Sequence, residues 1–340
     1  MHQAPFHSRS GAHPLSQTTR PSLAGRAIGR MLDLGGIGKR LSILIYHRVL
    51  PQQDPLFPDE VDAHRFDQQL GYLKDSFNII PLDRAVQGLR DGTLAPRSAC
   101  ITFDDGYADN AEVALPILQG HGVTATFFVA TGFLDGGRMW NDTVIELVRR
   151  APAVLDARGL ELGIHALGSI AERRAAIGAL LNALKYLPLE ARQARVDALA
   201  ALVGVPLPDD LMMRSEQVRQ LHHAGMTIGG HTIHHPIIAR MDREAAYAEI
   251  AGGKAALETM IGAPVTLFAY PNGRPGQDYQ ADHVTLAKRA GFEAAVCTSW
   301  GAAACGGDLF QLPRFTPWDR SQLRFTLRMA QNLCRRGEVV

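Results

Sequence analysis

Two adjacent carboxylates, Asp104 and Asp105, lie in ITFDDGYADN (101–110), directly after a short apolar run. Two neighbouring carboxylates repel, and the pKa of one rises unless a cation or hydrogen bonds compensate. A divalent cation bound by one aspartate removes the repulsion and leaves the other ionised, free to act as a base. The pair therefore indicates one carboxylate that holds a metal ion beside another that takes a proton from water, although Asp-Asp-Gly is also common in simple turns.

The second candidate group is HTIHHP (231–236), which contains three histidines. His231 and His235 are four residues apart, so on one helical turn both side chains point the same way. Neutral imidazoles at this spacing suit Zn²⁺ and similar divalent metals. Spacing alone also permits His231 with His234, or a pair of surface histidines at the start of a helix. The aspartate pair offers the third ligand that a metal site needs.

Seven short apolar runs are predicted to be strands that position these residues. They are LSILIYH (41–47), ACITF (99–103), ATFFVA (125–130), MTIGG (226–230), TLFAY (266–270), AAVCT (294–298) and LFQLP (309–313). Most are continuously apolar, as in parallel sheets covered by helices on both faces, and helix-like stretches alternate with them. This order predicts an α/β fold, either a barrel, complete or slightly broken, or an open doubly wound sheet. No G-x-G-x-x-G follows any of these runs, so the dinucleotide-binding signature is missing.

A barrel presents its reactive side chains at the carboxyl ends of its strands. His47 ends the first predicted strand, the aspartate pair ends the second, and HTIHHP follows the fourth. The tripeptide Pro-Asn-Gly (271–273) follows the fifth, and Arg314 follows the last. Residues able to bind a metal or move a proton therefore gather at one end of the predicted strands.

The 340 residues are 46% hydrophobic and 20% charged with a formal net charge of +1, which is typical of a globular protein and gives no reason to expect nucleic acid. We predict a basic, disordered segment at 1–40, one domain at 41–330 and a tail at 331–340. A helical insertion at about 145–215, rich in Ala, Leu, Arg and Glu, is a substrate lid or a structural appendage.

The N-terminal residues 1–32 carry four arginines and no acid, and contain no secretory h-region. They form either a solvated tail or a short basic helix that touches an anionic membrane surface. The expected location is cytoplasmic, with peripheral contact to the inner membrane as a further hypothesis.

Three segments, TFDDGYADN, HTIHHP and FAYPNG, resemble in order and separation the first three motifs of the polysaccharide deacetylase family, the carbohydrate esterases with a NodB-homology domain. GVTATFFVATGFL (122–134) resembles the segment that follows the first motif in that family. ILIYHRVL, with FDQQLGYLKDSFNIIPLDRAVQGLRDG, resembles the branch containing poly-N-acetylglucosamine deacetylases. The resemblance covers about residues 41 to 320 except the helical insertion, and implies a distorted (β/α)7 barrel of the NodB type.

Carried onto this sequence, the resemblance implies that Asp104 is the general base and Asp105 a metal ligand. It implies that His231 and His235 are the other ligands, since Pro236 marks the usual end of the motif and favours His235 over its neighbour. The expected cofactor is one divalent ion, Zn²⁺ first and Ni²⁺, Co²⁺ or Fe²⁺ as alternatives.

The resemblance also implies that the backbone N–H of Asn272 faces the oxyanion, with Tyr270 and Pro271 beside it in the substrate site. The chain has no Leu-x-His near its C-terminus, so His47 is the candidate general acid. FAYPNG is not preceded by an arginine, so Arg314 is the candidate that orients the catalytic aspartate.

The function implied is hydrolysis of N-acetyl groups on an amino-sugar-containing glycan or a sugar-linked precursor. An O-acetyl ester or another amide is an alternative substrate for the same residues. Two histidines and a carboxylate also occur in iron oxygenases, which usually use a β-sandwich. A non-catalytic carbohydrate-binding or assembly protein is the remaining alternative.

Overall fold

The computed structural model describes residues 39–340, so the predicted basic N-terminal segment up to residue 38 lies outside the described residues. The strands are β1 (Arg40–Tyr46), β2 (Asn78–Ile79), β3 (Ser98–Phe103), β4 (Thr126–Val129), β5 (Val154–Asp156), β6 (Ile164–Ala166), β7 (Thr227–Gly230), β8 (Leu267–Ala269), β9 (Ala294–Val296) and β10 (Ala303–Ala304). The helices are α1 (Ala63–Ser76), α2 (Leu82–Asp91), α3 (Leu115–His121), α4 (Trp140–Arg150), α5 (Ile170–Lys185), α6 (Leu189–Val203), α7 (Ser215–His223), α8 (Arg243–Ile261), α9 (Ala281–Arg289) and α10 (Gln322–Leu333).

Six strands form a curled parallel sheet in the order β1-β3-β4-β7-β8-β9. The short strand β2 pairs with β3, and β10 runs antiparallel along the edge of β1. Helices follow most of the strands and cover the outer face of the sheet. The predicted α/β class and barrel-type sheet are confirmed, and six of the seven predicted strands are present.

The seventh predicted strand, LFQLP (309–313), is not a strand but an extended segment that joins the two ends of the sheet. The N–H of Leu312 donates to the carbonyl of Ala295 in β9 at 2.9 Å. Three residues later, the N–H of Phe315 donates to the carbonyl of Ile43 in β1 at 3.0 Å. The proline that ends LFQLP has no N–H, so a continuous ladder cannot form. This segment, which we call the seam, nevertheless links β9 to β1 and closes the barrel.

Successive strand residues pack on opposite faces of the sheet. The inner face carries Ile43, Cys100, Phe128, Leu267 and Val296. The outer face, against the helices, carries Leu44, Ile101, Phe103, Phe127 and Phe268. A residue just beyond a strand keeps this alternation only while the backbone stays extended, and Asp105 and Asn272, with φ angles of 74° and 57°, depart from it.

The helical insertion runs from α4 through α6 and has its own apolar core, which includes Leu147, Leu155, Leu180 and Leu199. It begins a few residues before the predicted start at 145 and ends before α7. The insertion is not wholly helical as predicted, because β5 and β6 form a small antiparallel hairpin within it. Both strands have only three residues and are largely exposed, so they leave little hydrophobic pattern to detect.

The predicted domain end at 330 falls inside α10, a helix that the sequence prediction missed. The final residues pack on the domain rather than extending from it. The N–H of Val340 donates to Oε1 of Gln311 at 2.8 Å, and the N–H of Glu338 donates to Oγ of Ser299. Across residues 39–340, no helix has both the length and the apolar character that crossing a bilayer requires.

Helix α8 packs directly on the loop that follows β7, at Gly253. A Cβ at this position would lie 2.7 Å from the carbonyl oxygen of Thr232. We expect Gly253→Ala to lower the free energy of unfolding in urea by about 1–3 kcal/mol, because backbone must move to admit the methyl group. A Cβ on Gly71 in α1 would have no atom within 4 Å, so Gly71→Ala is the control and should raise stability by up to about 1 kcal/mol. Equal stabilisation by both would show that the contact is not tight.

Candidate active site

A cavity of about 540 Å³ opens at the carboxyl ends of the strands. Six predicted site residues line it: His47, Asp104, Asp105, His231, His235 and Asn272. Arg314 lies beneath them and is fully buried. Residues that follow four separate strands, β1, β3, β7 and β8, therefore meet at one place with Arg314 of the seam, as the barrel geometry requires.

A bidentate ion pair with Arg314 fixes the carboxylate of Asp104. Nη1 and Nη2 of Arg314 each donate to one carboxylate oxygen of Asp104 at 2.7 Å. The guanidinium is held in turn by Oγ1 of Thr102 and the carbonyl of Cys297, both at 3.1 Å. Burial alone would raise the pKa of Asp104, but the charge of Arg314 brings this pKa below its usual value. Asp104 is thus held ionised and in a single orientation.

Asp105, His231 and His235 form a candidate metal site. Nε2 of His231 and Nε2 of His235 lie 3.3 Å and 3.4 Å from the same oxygen of Asp105. The three potential ligand atoms are within 4.8 Å of one another. That oxygen is buried and has no hydrogen-bond partner among residues 39–340. One carboxylate and two imidazoles are a donor set that borderline divalent metals prefer, so these residues fit such an ion.

The two histidines are prepared for this role in different ways. Nδ1 of His231 is 2.8 Å from the carbonyl oxygen of Ala269, to which it donates, so Nε2 faces Asp105. Burial lowers the pKa of His235 to about 4, which keeps its ring neutral. For His231, burial opposes protonation, but the nearby Asp104 and Asp105 raise its pKa above the usual value. A cation that binds His231 therefore competes with a proton.

The loop after β7 is not the helical turn that the histidine spacing suggested. Thr232 and His235 have φ angles of 65° and 50°, in the left-handed region. Glu249 of α8 holds the loop by accepting the N–H groups of Ile233 and His234 at 2.9 Å and 2.8 Å. The ring of His234 also bonds to Glu249, at 2.7 Å, and is absent from the cavity lining. Of the two candidate partners for His231, the structure brings His235 to the site.

Asn272 lines the cavity and has a φ of 57°, in the left-handed region. Its carbonyl accepts the hydroxyl of Thr298 at 2.8 Å. The structure records no acceptor for its N–H within the described part of the chain. The backbone of Asp105 is likewise in the left-handed region, with a φ of 74°. Backbone strain of this kind costs free energy and is characteristic of functional loops.

The structure places Tyr270 and Pro271 outside the cavity, contrary to the prediction that they contact substrate. Tyr270 has the same alternation as Phe268 and therefore points to the outer face of the sheet. Its ring is fully buried and stacks on Tyr279, with centroids 3.9 Å apart. The family motif places these residues next to Asn272 in the chain, but of the three only Asn272, whose backbone is in the left-handed region, lines the cavity.

His47 follows β1 with the inner-face alternation of Ile43, and its exposed side chain lines the cavity. Nδ2 of Asn110 donates to the carbonyl of His47 at 2.9 Å and fixes its backbone. The position is compatible with proton donation into the cavity, and the role of general acid stays a prediction.

One group in the cavity wall was missed by sequence reasoning. The hydroxyl of Tyr107 donates to Oδ1 of Asp142 at 3.2 Å, and the Arg48 guanidinium lies 4.7 Å from the Tyr107 ring centre. Oδ2 of Asp142 is buried and has no partner among the described residues. Burial raises the pKa of Asp142 to about 7. Tyr107 could have been suspected from its place after the aspartate pair, whereas nothing in the local sequence distinguishes Asp142.

The raised pKa of Asp142 makes stability depend on pH. An aspartate in the unfolded chain has a pKa of about 4. Below that pH the carboxyl is protonated in both the folded and the unfolded state, so its burial does not lower the free energy of unfolding. The native state loses stability as the pH rises from there through about 7, where the buried group ionises. For the metal-free protein, we expect the stability of Asp142→Asn relative to the parent to increase by roughly 2–3 kcal/mol between about pH 5 and pH 8. Urea unfolding measures this difference, and Asp210→Asn, which removes an exposed carboxyl, is the control. A constant difference for Asp142→Asn would contradict the burial argument.

Several solved structures have the same architecture. The deacetylase PplD of Streptococcus pyogenes in complex with acetate has a TM-score of 0.57 at 20% identity, covering 84% of this chain and 97% of its own. IcaB from Ammonifex degensii has a TM-score of 0.57 at 20% identity, and the match covers 86% of this chain and 98% of IcaB. A de-N-acetylase from Aggregatibacter actinomycetemcomitans has a TM-score of 0.53 at 15% identity, and the match covers 84% of this chain and 99% of the de-N-acetylase. At these identities the likeness establishes the fold, a NodB-type barrel.

Sequence comparison gives the family. The putative polysaccharide deacetylase YxkH of Bacillus subtilis (strain 168) is 20% identical over 277 residues, which are 81% of this chain and 70% of the relative. The sequence profile described as polysaccharide deacetylase matches residues 91–295, more than half of the chain. The matched region contains the aspartate pair, the histidine loop and Asn272, and the chain belongs to the polysaccharide deacetylase family.

Proposed function

We propose that this protein is a metal-dependent hydrolase that removes N-acetyl groups from an amino-sugar-containing glycan or glycan precursor, as in the poly-N-acetylglucosamine branch of its family. The observation that carries the proposal is the convergence of Asp105, His231 and His235 beside an ionised Asp104. A structurally similar protein is described as a de-N-acetylase, which favours an acetamide as the substrate group.

The adjacent aspartates have separate roles in this proposal. Asp105 and the two histidines hold a divalent cation, which when bound supplies positive charge that polarises an acyl carbonyl and acidifies water. Asp104 accepts the proton of the attacking water. Arg314 acts through Asp104: its two hydrogen bonds keep the carboxylate ionised and aimed at the cavity. Since both oxygens are fixed, little reorganisation accompanies proton transfer.

Two further groups complete the reaction. Asn272 lines the cavity, and its N–H, which has no recorded acceptor among residues 39–340, can donate to the oxyanion that forms when water adds to the carbonyl. His47 supplies a proton to the departing amine, because an amide nitrogen is a poor leaving group at neutral pH. The products are acetate and a sugar with a free amino group.

The division of roles predicts different effects for neighbouring substitutions. We expect Asp104→Asn to lower the rate of acetate release by about 10²–10⁴-fold, the usual contribution of a general base, while the metal is retained. Asp105→Asn is the matched change one residue away and should lose both metal and activity. Acetate release is measured on N-acetylated and O-acetylated oligosaccharides, with and without chelator. Full activity of Asp104→Asn would exclude it as the base, and release from O-acetyl substrates alone would exclude the acetamide assignment.

The choice between neighbouring histidines gives a second prediction. We expect His235→Ala to weaken zinc binding by at least about a hundredfold, since even partners of ligands contribute up to that much. His234→Ala should leave zinc affinity nearly unchanged, because the ring of His234 bonds to Glu249 outside the cavity. Titration calorimetry with zinc and metal analysis of the purified variants measure both effects. The opposite ranking would show that the loop presents the other histidine.

A further inference from the structure

The helical insertion forms one wall of the catalytic cavity. Trp140 at the start of α4, Leu181, Asn182 and Lys185 in α5, and Arg192 in α6 line the same cavity as the aspartate pair. These residues belong to the part of the chain that the family motifs do not cover. The insertion therefore has a direct route to influence which substrates the cavity accepts.

Two cations in this wall have no ion-pair partner among residues 39–340. Arg192 is only 5% exposed, and its guanidinium lies 4.8 Å from the Trp140 ring centre. Its recorded hydrogen bond is a long one, 3.5 Å, to the carbonyl of Lys185. The Lys185 ammonium lies 5.7 Å from the ring of Tyr186 and has no recorded carboxylate contact. Other arginines of the same cavity are paired: Arg149 is 2.6 Å from Asp54.

An unpaired buried charge is costly unless something compensates for it. Burial lowers the pKa of Arg192, with no neighbouring acid to offset the effect. A structural role for Lys185 is available, because it lies in the last turn of α5, where a cation suits the helix dipole. For Arg192, stacking and one long hydrogen bond use few of the five N–H donors of the guanidinium.

The surroundings leave these charges open to a ligand. Asp278 is influenced by the charge of Lys185, but it accepts the N–H of Arg274 at 3.0 Å and does not line the cavity. A second depression of about 300 Å³ adjoins Lys185 and Arg192 and adds a third cation, Arg240. Positive charge therefore continues from the insertion wall away from the aspartate pair.

We propose that Lys185 and Arg192 form a subsite for an anionic group, a phosphate or a carboxylate, that the glycan carries close to its acetylated sugar. The inference deepens the proposed function and rests on it for the position of the acetyl group. An arginine fork and an ammonium provide the charge-assisted hydrogen bonds that such oxygens accept. Acidic glycans or sugar phosphates would then be preferred over neutral oligosaccharides of the same length.

The test measures binding by calorimetry to the full-length, zinc-loaded protein and acetate release in parallel. The phosphate pair of probes is N-acetylglucosamine 1-phosphate against N-acetylglucosamine. The carboxylate pair is a hyaluronan tetrasaccharide against tetra-N-acetylchitotetraose. We expect the acidic member of at least one pair to bind about tenfold more tightly, as one charge-assisted hydrogen bond allows. The pair that responds identifies the acidic group.

Variants connect the preference to the insertion. Lys185→Gln and Arg192→Gln should each weaken binding of the acidic probe about tenfold and leave the affinity for the neutral probe unchanged. Arg192→Lys should retain part of the preference for the acidic probe. Arg174, which is exposed on α5 and outside the cavity lining, provides the matched control Arg174→Gln. If Arg192→Gln does not fold, the result for Lys185→Gln decides whether the subsite exists, because Lys185 is only half-buried.

Two results would overturn the subsite: equal binding of acidic and neutral probes, or a preference that survives in both variants, as when phosphate binds the zinc itself. Charge-selective binding without acetate release would leave the subsite intact and remove the deacetylase proposal. Acetate release without a preference for acidic probes would support the deacetylase proposal and remove the subsite.

Discussion

Two ionised carboxylates on consecutive buried residues are unstable unless each has its own compensating charge, and the architecture of the site follows from this requirement. Asp104 has Arg314, which reaches it from the seam with two hydrogen bonds of 2.7 Å. Asp105 has two imidazoles, brought by the loop after β7. The two compensations differ chemically: one is a permanent guanidinium, and the other is a set of ligands open to an exchangeable cation. In the proposed function, that difference allows one carboxylate to serve as a base and the other as a metal ligand.

Much of this arrangement could be predicted because it depends on local sequence. Continuous apolar runs predicted seven strands, six of which are present in the parallel sheet, and the residues just after them predicted which side chains meet at the barrel mouth. Asp104, Asp105 and His231 were identified in this way and lie together in the structure. Arg314 was the candidate partner of the catalytic aspartate because the resemblance implies an arginine that is missing before FAYPNG, and the structure pairs Arg314 with Asp104.

The features that escaped prediction depend on tertiary structure or on single backbone angles. The histidine loop was expected to be helical, but left-handed φ angles at Thr232 and His235 give the same proximity without a helix. Tyr270 was assigned to the site by its neighbour in the chain, whereas its ring belongs to the outer face. The cavity contacts of Trp140 and Arg192 arise from the packing of the insertion against the barrel, for which one sequence contains no local signal.

The seam has a consequence for biosynthesis. Arg314 follows Asp104 by 210 residues, and the segment that carries it also bonds to β9 and β1. On the ribosome, the aspartates and the histidine loop emerge long before this arginine does. Until the seam has been synthesised, Asp104 lacks the counter-ion that offsets its burial, and burial without that charge raises the pKa of a carboxyl. The buried, ionised form of Asp104 therefore depends on a segment that is among the last to be made.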